Sequence, residues 1–146
     1  MDTYHNYVDI VELCIELVIE LARRSLSYMF PSDSISLYQS AMSVVKSYAL
    51  HANGRVSSEK TAEEETYNDL VTLMEMLTCL LSKDFLDLSP EQSADAPQVQ
   101  PVSACDVSLL GLSTILPLMN ADLLQFPNLS VKYFRLVKIA SQNERK

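Results

Sequence analysis

Apolar residues recur at intervals of three and four in five stretches of the chain, and no stretch carries the period of two that marks a strand. The pattern predicts helices near 7–29, 34–51, 62–86, 104–119 and 127–141. In the first, Val8, Val11, Ile15, Val18, Ala22 and Leu26 share one face, with Leu13, Leu17 and Leu21 beside it. Glu12, Glu16, Glu20 and Arg24 run down the opposite side, and only the last step, Glu20 to Arg24, pairs opposite charges. Pro31 closes this element, with Asp33 or Ser34 capping the next. The second stripe is thinner, with Ile35, Tyr38, Met42, Val45 and Ala49, and Asn53-Gly54 reads as its stop.

The third stretch is the most apolar. Tyr67, Leu70, Val71, Met74, Leu77, Leu81 and Phe85 make one face, which Leu73, Met76 and Leu80 widen. Such a helix needs neighbours on at least two sides, since each of these side chains gains about 1.5–3 kcal/mol by leaving water. Thr61 and Glu64 have the spacing of a capping box, and Glu63, Glu64 and Glu65 sit where the helix dipole favours negative charge. Residues 88–103 contain three prolines and no apolar period, and are expected to be a mobile surface loop. Ser103 and Asp106 repeat the capping logic ahead of a fourth helix that is apolar nearly all round, and Pro117 kinks or ends it. Pro127 suits the first turn of a fifth helix, with Leu129, Tyr133, Leu136, Val137 and Ala140 on its apolar face and Lys132, Arg135 and Lys138 pointing elsewhere.

Five helices without strands predict an all-α chain of one domain. The wide apolar surfaces of the third and fourth helices favour a stacked α-solenoid, with the second and third, and the fourth and fifth, as antiparallel pairs. The starts of the second and fourth helices lie about 70 residues apart, more than the ~40–47 of a HEAT unit. The loops near 52–60 and 88–102 account for the excess, and a closed bundle is the rival arrangement.

Composition narrows the chemistry. Only two glycines are present, which argues against a phosphate-cradling loop. The net charge of −8 argues against a nucleic-acid surface. That charge is uneven: residues 61–122 hold eleven acids and one base, whereas 123–146 hold one acid and five bases. Cys14, Cys79 and Cys105 lie far apart in apolar runs and read as buried thiols, and neither they nor His5 and His51 have the spacing of a metal site. The start of the chain lacks the basic-then-apolar pattern of a secretory leader. The longest uncharged apolar run, Val107 to Ala121, is shorter than the ~20 residues of a spanning helix, so no membrane insertion is expected. No catalytic constellation stands out and no cofactor is expected. Glu63, Glu64, Glu65 and Asp69 form a carboxylate cluster, but a catalytic pair needs two differing environments. The cluster therefore reads either as a solvated helix cap or as a landing place for a basic partner.

From Tyr38 onward the residues resemble a known family. TAEEETYNDLVTLMEMLTCLLSKDF, followed by VSACDVSLLGLSTILPLMNADLLQFPNLSVKYFRLV, is similar to the carboxy-terminal part of an exportin, a karyopherin of the importin-β superfamily. The segment SPEQSADAPQVQPV departs from that pattern. The resemblance implies a HEAT-repeat superhelix and no enzymatic activity. It implies a receptor that binds protein cargo, of the translation initiation factor 5A or Smad type, together with Ran-GTP. Such a receptor meets nucleoporins and shuttles between nucleus and cytoplasm through the nuclear pore. In that register the third and fifth helices are inner ones, and Glu63, Glu64, Glu65 and Asp69 lie near the concave rim. Exportins are many times longer, so this chain is expected to be a piece of such a receptor or an incomplete product. The alternative, from another class, is a free-standing helical scaffold or adaptor derived from a HEAT-repeat segment.

Overall fold

A computed structural model of the chain describes residues 7–25, 28–55, 67–84 and 102–143. These form five α-helices: α1 (Val8–Ser25), α2 (Pro31–Arg55), α3 (Asn68–Asp84), α4 (Ala104–Ile115) and α5 (Pro127–Asn143), with a 3-10 turn at Leu123–Gln125 before α5. No strand occurs among the described residues, so the chain is all-α there. The capping box expected from Thr61 and Glu64, and nearly all of the loop expected at 88–103, lie outside the described residues.

Local chemistry sets most helix ends. Ser103 caps α4: its hydroxyl accepts the Asp106 N–H at 3.2 Å, and the Asp106 carboxylate accepts the Ser103 N–H at 2.9 Å. The Ser103 N–H, and then the Ser103 hydroxyl, which lies 2.7 Å from the same carboxylate oxygen, hold the Asp106 carboxyl below its ordinary range. The helix ends at Ile115, two residues before Pro117, as expected for a residue that lacks an N–H. Pro127 opens α5. Two expectations for α2 are corrected. Pro31 is its first residue rather than the stop before it, and the N–H groups of Asp33 and Ser34 donate to the Phe30 carbonyl. A proline at the first position loses nothing, because its N–H would be unpaired there anyway. The helix also runs through Asn53-Gly54 to Arg55.

The serine content of α2 does not break it. Ser36, Ser40 and Ser43 donate their hydroxyls to carbonyls four residues back. Its buried stripe is Leu37, Tyr38, Ala41, Val45 and Tyr48. That is rotated from the expected one, whose Ile35, Met42 and Ala49 lie only half-buried along its edge.

At the centre is α3. Leu70, Val71, Leu73, Met74, Met76, Leu77, Leu80 and Leu81 are all buried, and the helix packs against α1, α4 and α5. The need for neighbours on several sides is thus met, but the helices pair differently from the expectation. Among the described residues α2 packs mainly on α4, α5 mainly on α3, and contacts between layers join α3 with α4 and α1 with α2. The odd-numbered helices form a row with α3 in the middle, and α2 and α4 form a second layer.

Contacts along the row fix its direction. Glu12 of α1 lies near Asp69 at the start of α3, and further along Arg23 meets Glu75. Tyr67, just before α3, packs with its ring 6.3 Å from and tilted to that of Phe126, just before α5, and beyond them Lys132 reaches Glu75. The three odd-numbered helices therefore run parallel. Between the layers Gly111 of α4 lies close over Leu77 of α3, where a side chain at 111 would collide with the leucine.

Candidate functional site

The acidic start of α3 was the sequence's candidate for partner binding. Glu63, Glu64 and Glu65 lie outside the described residues. Asp69 is described, and it is not on an exposed rim. It is 3 % exposed, and its Oδ1 accepts the Leu70 N–H at 2.8 Å. It turns inward because α1 covers the first turn of α3. There it lies near Glu12, whose Oε1 is buried without a hydrogen-bond partner. Burial first, and then the negative charge of Asp69, Asp9 and Glu16, pushes the Glu12 carboxyl above its ordinary range.

A second group of charges was not anticipated. Glu75 is the only charged residue between Asp69 and Lys83. It is bound from both sides, by Arg23 of α1 and by Lys132 of α5, the latter at 2.8 Å. Lys132 therefore does not point away from its neighbours as the sequence pattern implied. The Lys132 hydrogen bond, with Arg23 adding to it, lowers the Glu75 carboxyl against an opposing effect of burial. Glu20 continues the line at the far side, bonded to Arg24 at 2.7 Å in the expected i, i+4 pair and 3.7 Å from Arg23. These side chains tie all three parallel helices together on one face. A small polar cleft opens there between α1 and α3, lined by Glu16, Glu20, Arg23, Thr72 and Glu75. The signal in the sequence was the lone acid inside an apolar helix, which needs a cation once buried.

An apolar groove of about 490 Å³ separates α1 from α2, lined by Leu17, Val18, Leu21, Met29, Leu37 and Val44 among others. Beside it Ile10, Leu13, Leu17 and Leu21 form an exposed stripe along α1, with Leu13 64 % and Leu17 61 % accessible. At the other end of the row Val131 and Phe134 of α5 are exposed, and Leu109 of α4 and Leu116 just beyond it are exposed in the second layer. Isolated exposed leucines are ordinary, whereas the four apolar residues along α1 form a continuous exposed stripe.

The cysteines are not joined in disulfides, and they are less buried than expected: Cys14 and Cys79 are half-buried and Cys105 is exposed. Among the described residues no group of His, Cys, Asp and Glu could hold a metal ion, and no helix is long and apolar enough to cross a membrane. The chain matches no known family profile.

Proposed function

We propose that the chain is a segment of a nuclear transport receptor of the exportin class, acting by protein–protein contact rather than catalysis. In this reading the five helices are successive members of a HEAT-type solenoid. The observation that carries it is the order of the layers. Helices alternate between two layers along the chain, and those of the odd layer lie parallel and side by side. That arrangement extends without change as more helices are added at either end. The similarity of the segments Thr61–Phe85 and Val102–Val137 to exportins, met in the same order, supports the same reading. The partners are then protein cargo and Ran-GTP, with nucleoporins met during passage between nucleus and cytoplasm. Glu63, Glu64 and Glu65 remain the residues proposed to meet a basic cargo surface, without Asp69, whose burial removes it from that role.

The test compares this chain with the longest transcript that contains it, in pull-downs against Ran loaded with GTP or GDP and against a basic cargo. The longer product is expected to bind Ran in the GTP form only, and to bind cargo with it. If it binds neither, the transport reading is wrong. In that longer product, changing Glu63 and Glu65 to Gln leaves the Thr61–Glu64 spacing intact. It is expected to slow cargo association and flatten its salt dependence.

A further inference from the structure

Each end of the helix row exposes apolar residues, and the charges on the helices that carry them are mainly acidic along α1 and basic along α5. At the first end, the stripe Ile10, Leu13, Leu17 and Leu21 of α1 is exposed, and Asp9 and Glu16 are exposed on the same helix, whose last turn holds Arg23 and Arg24 in ion pairs with Glu20 and Glu75. At the other end, α5 exposes Val131 and Phe134 with Arg135 and Lys138, and no acid occurs between Pro127 and Asn143. At the first end α1 and α2 also flank the apolar groove.

From these faces we infer that the chain self-associates head to tail. The exposed face of α5 in one copy seats on the exposed face of α1, beside the α1/α2 groove, in the next. Three observations select a second copy as the occupant. The row already joins parallel helices side by side, α1 to α3 and α3 to α5, so placing another copy's α5 beside α1 repeats a packing this sequence makes internally. The two faces complement each other in charge, with Asp9 and Glu16 on one and Arg135 and Lys138 on the other. The inner face of α5 already joins α3 through the Lys132–Glu75 bond, so an α5 docked by its outer face keeps that bond intact. The contact is heterologous and leaves a free face at each end of the assembly. Association is therefore open-ended, giving chains of increasing length rather than a closed dimer. The inference rests on the faces described here and not on the transport reading.

Two exposed positions test it. Leu17→Asp blocks the first face and Phe134→Asp blocks the second, and circular dichroism melts check that both variants stay folded. In sedimentation velocity the unmodified chain is expected to grow in mass with concentration, and each variant alone to stay monomeric. Mixed in equal amounts, they retain one good face apiece and are expected to form a 1:1 dimer that grows no further. Glu16→Lys is expected to weaken association at least tenfold, and adding Lys138→Glu in the same chain to recover most of the loss. Carbodiimide coupling of isotopically mixed, unmodified chain supplies a readout that needs no variant. Links between copies are expected to join Lys138 to acids of α1. An unmodified chain that stays monomeric at all concentrations overturns the inference. So does a mixture that remains monomeric, or a Leu17→Asp variant that associates as strongly as the parent.

Discussion

Gly111→Ala brings two opposing effects into direct competition. Glycine inside a helix costs about 1 kcal/mol relative to alanine, so on an exposed helix the change would stabilise. Here α4 lies so close to α3 that a Cβ at 111 would stand 2.7 Å from Cδ2 of Leu77 and 3.0 Å from its Cγ, with Cδ1 nearer still. A swing of the leucine methyls does not clear the clash, because Cγ itself is too close. Leu77 has no exposed surface into which to retreat. Overpacking of this kind costs roughly 1–3 kcal/mol. The upper part of that range applies because neither helix is free to move: α3 is held by α1 and α5, and α4 by α2. The net expectation is a destabilisation of about 1–2 kcal/mol, which at this chain length lowers Tm by roughly 2–8 °C. Urea and thermal unfolding measure it directly. A double-mutant cycle with Leu77→Ala sharpens it: that change alone should cost about 2–5 kcal/mol through the cavity it leaves, and clearly less with alanine already at 111. A Gly111→Ala protein more stable than its parent, or costs that simply add, would refute the proposed approach of the two helices.

Glu75→Gln removes the shared partner of Arg23 and Lys132, and about 0.5–1.5 kcal/mol of stability should be lost at neutral pH, because the group is partly solvated. The folded carboxyl is lowered by Lys132 and Arg23, so its contribution is present above its unfolded value and lost as pH falls through the folded one. Unfolding free energies of parent and variant should therefore converge under acid, and a gap that persists there would contradict the ion-pair assignment. Glu12→Gln should act the opposite way. Burial and the neighbouring acids raise the Glu12 carboxyl, so its stability contribution is present in acid and lost as pH rises through the folded value. The glutamine variant is expected to be more stable than the parent at neutral pH, with the advantage vanishing in urea titrations as pH falls below the ordinary carboxyl range. Ser103→Ala should cost about 1 kcal/mol through the lost cap and let the Asp106 carboxyl rise towards its ordinary value, readable by NMR titration.

The amino-acid pattern determined the elements. Helix number and kind follow from the 3.6-residue period. Most ends follow from single residues whose chemistry acts within one turn, such as Ser103 with Asp106, and Pro127. Pro31 was misread because a proline marks both the stop of one helix and the first position of another, and local sequence does not separate the two. The apolar breadth of α3 likewise declared it central, since eight buried side chains on one helix require partners on several sides. The partners themselves were not legible. Which helix covers which face depends on residues far apart in the chain, and leucine offers the same contact to any neighbour. For that reason the expected pairs of second with third and fourth with fifth helix gave way to a parallel row and a separate layer. Asp69 shows the same limit from the polar side. Its place in the sequence, after three glutamates, reads as one more solvated acid, and only the arrival of α1 over the first turn of α3 turned it inward. Glu75 is the converse: its isolation within an apolar helix announced a need for positive charge, but only the packing of α1 and α5 against α3 decided that Arg23 and Lys132 would both supply it.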